Sequence, residues 1–357
     1  MKKVISIITV ALLLMGCAGG KKENKGTSQL DGAGATFPLP FYTLAFKTYQ
    51  EQGGPTVNYG AIGSGGGIRS LKDEIVDFAA SDAFLKDDEA TAMKPVIHIP
   101  TCMGAVVLAY NLDGVQDLKL TAEVISKIYL GEIKKWNDSA IKSINPGVNL
   151  PDKAITPVYR SDGSGTTYIF SDYLSKAYAP WKDKMGAAKS LKWSVGIAGK
   201  GNPGVAGVIA QTPGAIGYVG SEYSFSLNIP SAKVMNKAGN FISPSIESIS
   251  ASATGNIPED TRTMITDADG AEAYPISCLT WILIYKDQNY KNRSIDKAHA
   301  TVDMLKWILG SKAQELTPKV HYAPLPQNII ELALRQLNTV TYNGKALGDV
   351  AENKDKK

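Results

Sequence analysis

Four short joints restrict what this chain can fold into. Each follows a strand-like apolar run, consists largely of small and hydroxyl residues, and leads into a helix-like run. They are Gly34-Ala35-Thr36-Phe37, Gly63-Ser64-Gly65-Gly66-Gly67, Ala80-Ser81-Asp82, and Arg160-Ser161-Asp162-Gly163-Ser164-Gly165-Thr166-Thr167. Apolar patterning predicts strands over Leu30–Ala35, Val57–Tyr59, Val76–Ala80, Ala105–Tyr110, Ile155–Tyr159, Ala215–Val219 and Leu279–Tyr285. Helices are predicted over Phe37–Gln52, Ile68–Glu74, Gly165–Tyr178, Asp296–Leu309 and Gln327–Leu337, with Gly63–Gly67 as a loop. Thr121 caps a further helix that runs to Leu130 and stops at Gly131. Strands alternating with helices give an α/β fold on a parallel or mixed sheet.

The joints have a chemical character. Ligands of open α/β sheets bind outside the carboxyl ends of the strands. Helix N-termini there offer unpaired N–H groups and the positive end of the helix dipole, which suit an anion. Glycine lets the backbone approach closely, and Ser and Thr add hydroxyl donors. Each joint also has a plainer reading: Thr36 or Ser164 as an N-cap, Ser64-Gly65 as a loop, Arg160 as a surface partner of Asp162. Their recurrence after strands is the argument for a shared anion site.

The chain ends carry a different signal. Met1-Lys2-Lys3 precedes an apolar run from Val4 to Met15, followed by Gly16 and Cys17. The run is too short to span a membrane and has the form of a secretory leader over residues 1–16. Leu14-Met15-Gly16-Cys17 resembles a bacterial lipobox, which implies lipidation of Cys17. Residues 17–29 read as a flexible tether and residues 346–357 as a charged tail. The body between exceeds what one core normally supports, so two domains are expected. Removing Lys2 and Lys3 lowers the net charge from +4 to +2, too little to suggest a nucleic-acid partner. Beyond Cys17, Cys102 and Cys278 are either a disulfide pair or two buried thiols.

The joints also carry a family resemblance. The runs Gly32–Pro38, Val57-Asn58-Tyr59 with Ile62–Gly67, Val76–Asp82, Arg160–Thr166 and Pro213–Val219 resemble the phosphate-binding proteins of phosphate-specific ABC transport systems. So do Ile128–Gly131 with Trp136-Asn137-Asp138, and Ile282–Asp287; Arg-x-Asp-Gly-Ser-Gly-Thr is the most specific run. The resemblance implies a two-lobed, hinged periplasmic-binding-protein fold of the type II-like class with discontinuous domains. Lobe 1 would be residues 30–102 plus 275–345, and lobe 2 residues 103–274. Phosphate would lie between them, bound by Thr36, Phe37, Ser64, Asp82, Arg160, Ser164, Gly165 and Thr166, with Asp162 as the ion-pair partner of Arg160. The implied partners are the membrane permease subunits of an importer. The protein would be a monomer without a cofactor, lipid-anchored at the cell envelope, either in the periplasm or on the outer face of the plasma membrane. This sequence has Gly65 where many members have Ser, and Tyr159 where a second Arg is common.

Asp82 is the telling residue. A carboxylate repels an anion unless the anion brings a hydrogen, as phosphate does at neutral pH and sulfate does not. Other readings are a secreted phosphatase-like hydrolase, with Ser64 or Ser164 as nucleophile, or a binder of arsenate, sulfate or molybdate. Neither serine lies in a G-x-S-x-G elbow, since Ile62 and Asp162 occupy the upstream glycine position. His98, His299 and His321 lie outside the joints, and no cluster has metal-ligand spacing. Gly199-Lys200-Gly201-Asn202-Pro203-Gly204, with Glu222 about 20 residues on, fits a dinucleotide fingerprint. With Pro203 inside the turn, it reads better as the start of a helix running to about Gln211.

Overall fold

The computed structural model describes residues 29–348. The leader, Cys17, all but the last residue of the tether, and the tail beyond residue 348 lie outside these described residues.

Eight strands form one mixed sheet: β1 (Leu30–Gly34), β2 (Val57–Ala61), β3 (Phe78–Ser81), β4 (Val96–Tyr110), β5 (Thr156–Arg160), β6 (Ile197–Gly199), β7 (Ala215–Gly220) and β8 (Ser277–Tyr285). Their spatial order is β2-β1-β3-β8-β4-β7-β5-β6. β1 runs parallel to β2 and β3 on one side, and β5 runs parallel to β6 and β7 on the other. β4 joins the two blocks. From Val96 to Ala105 it pairs antiparallel with β8, and from Val106 to Tyr110 it pairs antiparallel with β7. Both β4 and β8 are buried almost throughout, as expected of central strands covered on both faces.

β4 is far longer than the Ala105–Tyr110 expected from the sequence. Pro100, which cannot donate to a ladder, obscures its first half. The structure accommodates Pro100 with a register shift: Thr280 pairs Cys102 while Trp281 pairs Pro100, leaving Thr101 as the extra residue. The Thr101 hydroxyl donates to the Thr280 carbonyl at 3.3 Å. Cys102 and Cys278 are buried free thiols on β4 and β8, and the Cys278 thiol donates to the Gly104 carbonyl.

Five helices begin near the strand ends that matter here: α1 (Leu39–Glu51), α2 (Ser64–Lys72), α3 (Gly165–Ala177), α4 (Gly201–Gln211) and α5 (Ser221–Ser226). The start of α2 corrects the expected loop at Gly63–Gly67. Three glycines are poor helix formers, but here packing overrides propensity. A Cβ on Gly67 would stand 2.4 Å from the Gly34 Cα and 2.5 Å from the Ala33 carbonyl oxygen. Only glycine lets α2 lie this close to β1. α3 is capped by Ser164, whose hydroxyl accepts from the Thr167 N–H at 3.0 Å. α3 buries Ile169, Phe170, Tyr173 and Leu174, and Phe170 stacks on Tyr218 of β7 with ring centroids 4.3 Å apart. Thr121 caps its expected helix (Ala122–Tyr129) by accepting from the Val124 N–H at 3.2 Å. Among the described residues no helix is long and apolar enough to cross a membrane.

Candidate functional site

All four joints meet in space. Each lies at the carboxyl end of a strand. β1 and β3 run with β4 while β5 runs against it, so their carboxyl ends face each other where β4 passes from β8 to β7 and bring together Thr36, Asp82 and Arg160–Thr166, to which α2 adds Ser64. The N-termini of α2, α3 and α4 are held together by direct bonds. The Gly65 N–H donates to the Gly163 carbonyl at 2.9 Å, and the Gly165 N–H donates to the Ser64 hydroxyl at 3.1 Å. The Gly201 N–H donates to the Asp162 carboxylate at 3.0 Å. Several positive dipole ends therefore face one small volume, a favourable setting for an anion.

Glycine is required at the closest approach. A Cβ on Gly165 would stand 2.7 Å from the Asp82 carboxylate, the Asp82 Cβ and the Ser64 hydroxyl.

Arg160 supplies the fixed positive charge. Its Nε and Nη2 donate to the two oxygens of Asp162 at 2.8 and 2.6 Å, and Nη1 donates to the Thr166 hydroxyl at 3.3 Å. Such a two-point pair fixes the plane of the guanidinium and moderates its charge. Burial alone would raise the Asp162 carboxyl. The bonds and charge of Arg160, helped by the Gly201 N–H, outweigh that and hold it below the ordinary range.

Asp82 is buried at the end of β3. Burial pushes its carboxyl up to about 7, against the lowering effects of a hydrogen bond from Thr280 and the charge of Arg160. The Thr280 hydroxyl donates to Oδ1 at 2.6 Å, which occupies one oxygen. The other lies over Gly165.

Thr36 and Phe37 are held by residues that the sequence did not single out. The Thr36 hydroxyl accepts from both the backbone N–H and the side-chain amide of Asn202, each at 3.0 Å. The same amide nitrogen donates to Thr166 at 3.2 Å, and the Asn202 side-chain oxygen accepts from the Gly220 N–H at 3.0 Å. Tyr223 donates to the Thr36 carbonyl at 2.5 Å, and Tyr322 donates to the Phe37 carbonyl. Tyr218 accepts from the Arg160 N–H at 3.0 Å and bonds to the Thr167 hydroxyl at 2.8 Å. Asn202 opens α4 within the Gly199–Gly204 run, so that run works as a helix start with a buried amide, as read against the dinucleotide fingerprint.

Every candidate residue, from Thr36 and Phe37 through Ser64, Asp82, Arg160, Ser164, Gly165 and Thr166, belongs to this cluster. The Ser64 hydroxyl is met by backbone N–H donors, and the Ser164 hydroxyl caps α3, so neither is paired to a base in the manner of a nucleophile. His98 is buried, accepts from the Leu85 N–H at 3.0 Å, and is pushed down to about 3 by that burial. Among the described residues no group of His, Cys, Asp and Glu could hold a metal ion. A cavity of about 850 Å³ is lined by Asp113, Phe225, Ile246, His321 and their neighbours, and shares no residue with the cluster.

The comparisons with known proteins agree with this geometry. A family model described as a PBP superfamily domain matches residues 19–310. The chain is 39% identical over 314 residues to a phosphate-binding protein PstS of Xylella fastidiosa (strain 9a5c), covering 87% of this chain and 85% of that one. It is 39% identical over 315 residues to the PstS of Pasteurella multocida (strain Pm70), covering 87% and 90%. In fold it is similar to the crystal structure of a phosphate-binding protein from Stenotrophomonas maltophilia, with a TM-score of 0.67 and 21% identity, covering 89% and 97%. A two-block α/β sheet, an anion-suited cluster of helix N-termini and relatives of matching length converge: the chain belongs to the PBP superfamily, among the phosphate-binding proteins PstS.

Proposed function

We propose that this protein captures inorganic phosphate at the joint cluster and delivers it to an importer, without acting on it chemically. One observation carries the proposal: a buried carboxyl, Asp82, stands among hydroxyls, helix N-termini and one guanidinium, with one oxygen bonded to Thr280. Thr36, Ser64 and Thr166 supply hydroxyls, Phe37 and Gly165 backbone N–H groups, Arg160 charge-assisted donors, and Ser164 the cap that seats α3. Asp82 accepts the hydrogen that phosphate carries. Sulfate has none, and would place charge against charge in a dry site. A hydrogen bond to a charged group is worth about 1.5–3 kcal/mol, and a site built around a ligand hydroxyl rejects analogues lacking it by large factors.

Residues 30–102 and 275–345 form one lobe and 103–274 the other. The switch of β4 from β8 to β7 between Ala105 and Val106 supports this division. The bonds Thr36–Asn202, Ser64–Gly165 and Gly65–Gly163 all link residues of different lobes, as does the Lys189–Glu89 ion pair at 2.6 Å. Phosphate touching both lobes favours closure by its differential affinity for the closed state. Cys17 carries the lipid, the body stays outside the cytoplasm as a monomer, and the permease subunits of the importer are its partners. Incubation of the purified protein with phosphate and with a phosphomonoester tests the reading. One phosphate bound per chain and no turnover supports it; steady release of phosphate from the ester, or no phosphate bound, overturns it.

A further inference from the structure

Glu222 is a second buried carboxyl beside the site, and nothing above uses it. It sits in the first turn of α5, fully withdrawn from solvent, and neither oxygen has a hydrogen-bond partner of regular geometry. The side chain folds back over the end of β7, where a Cβ on Gly220 would meet Oε1 at 2.2 Å. Besides burial, the groups that act on it are its own backbone N–H and the Tyr322 hydroxyl, which lower its carboxyl, and Asp82, which raises it; Tyr223, Cys102 and Cys278 lie near enough to feel its charge, and none of these groups is cationic. An ionised carboxylate buried this way without a cation or a set of donors is very costly. Burial accordingly pushes the Glu222 carboxyl well above the ordinary carboxylate range.

The Tyr322 hydroxyl lies close enough to Glu222 for each to affect the titration of the other. Its single proton is already committed. It bonds to the Phe37 carbonyl, and a carbonyl cannot donate. What Tyr322 has left is a lone pair, which an ionised Glu222 cannot use and a protonated one can. Tyr322 also packs edge-on against the Phe37 ring with centroids 5.8 Å apart. The next residue of α5, Tyr223, holds the Thr36 carbonyl. The two carbonyls of the Thr36-Phe37 joint are therefore gripped by two tyrosines, one beside Glu222 in sequence and one beside it in space.

We propose that Glu222 is a positioning residue for the anion site: a neutral acid that donates its O–H to the Tyr322 oxygen and so fixes the Phe37 backbone beside Thr36. It touches no ligand; its effect on binding rests on the phosphate reading, but its protonation does not. The test has two arms. In the first, infrared difference spectra of ligand-free wild type against Glu222→Gln at about pH 7 show a carboxylic-acid carbonyl band that the variant lacks; a carboxylate band in its place overturns the proposal. In the second, phosphate affinity is measured for Glu222→Gln, Glu222→Leu, Tyr322→Phe and the Leu/Phe double variant. Glu222→Gln keeps an N–H donor for Tyr322 and stays within about twofold of wild type from about pH 6 to about pH 8. Glu222→Leu and Tyr322→Phe each bind about tenfold more weakly, and the double variant is no weaker than either single one. Loss in Glu222→Gln equal to that in Glu222→Leu, or additive loss in the double variant, overturns the proposal. If wild type binds no phosphate, the functional reading fails, and the infrared arm still decides the protonation of Glu222.

Discussion

Replacing Asp82 with Asn removes a charge that the fold disfavours, and the effect on stability depends on pH in a definite direction. In the unfolded chain the carboxyl titrates near 3.8; in the fold burial raises it to about 7. Below about pH 4 both states hold the proton and the group costs nothing. Between about pH 4 and pH 7 the folded state retains a proton that the unfolded chain releases, so stability falls as pH rises. Above about pH 7 the loss levels off. The gap between 3.8 and about 7 is about three pH units; at about 1.4 kcal/mol per unit it amounts to about 4 kcal/mol, an upper bound for a site that relaxes or admits water. The amide oxygen of Asn still accepts from Thr280, so little else changes. Urea denaturation of phosphate-free wild type and Asp82→Asn at about pH 5 and pH 8 measures this. Wild type has already lost part of this at about pH 5, so the Asn variant is expected to gain on wild type between the two by up to about 3 kcal/mol. A difference that is the same at both pH values, or larger in acid, would refute the reasoning.

Other outcomes follow from the same geometry. Arg160→Lys loses the two-point pair with Asp162 and the bond to Thr166, and is expected to weaken phosphate binding by about ten- to a hundredfold in calorimetry. Gly165→Ala places a methyl 2.7 Å from Asp82 and Ser64; phosphate affinity should fall at least about tenfold, and small-angle scattering with phosphate should show a larger radius of gyration than wild type. Asn202→Ala removes donors to Thr36 and Thr166 and leaves the Gly220 N–H without its acceptor; a loss of about 1–3 kcal/mol in urea unfolding is expected, together with weaker phosphate binding.

What could be read from the sequence was local. The joints were legible because a strand end, a glycine and a hydroxyl adjoin in the chain, and the Ser164 cap and the Arg160–Asp162 pair each span only a few residues. The start of α2 is not legible in the sequence, because the three glycines from Gly65 argue against a helix and the reason they fit one lies on another strand, at Ala33-Gly34. The first half of β4 is hidden because Pro100 interrupts a pattern that the bulge at Thr101 restores. Asn202, Thr280 and Tyr322 were illegible as site residues because their partners are distant: Asn202 reaches Thr36 across 166 residues, Thr280 reaches Asp82 across 198, and Tyr322 reaches Phe37 across 285. The one available hint was Thr280 itself, a hydroxyl inside the otherwise apolar run Leu279–Tyr285.

The central claim is that Asp82 tests the anion for a hydrogen, and the sulfate-to-phosphate affinity ratio as a function of pH tests it most directly. At about pH 8 Asp82 is ionised, so phosphate is predicted to bind and sulfate to be rejected. Below about pH 7 Asp82 takes up a proton and can donate it, so sulfate binding is predicted to strengthen towards pH 5, and Asp82→Asn is predicted to flatten that dependence. Sulfate binding as tightly as phosphate at about pH 8, or a ratio that does not change with pH in the wild-type protein, would contradict the account.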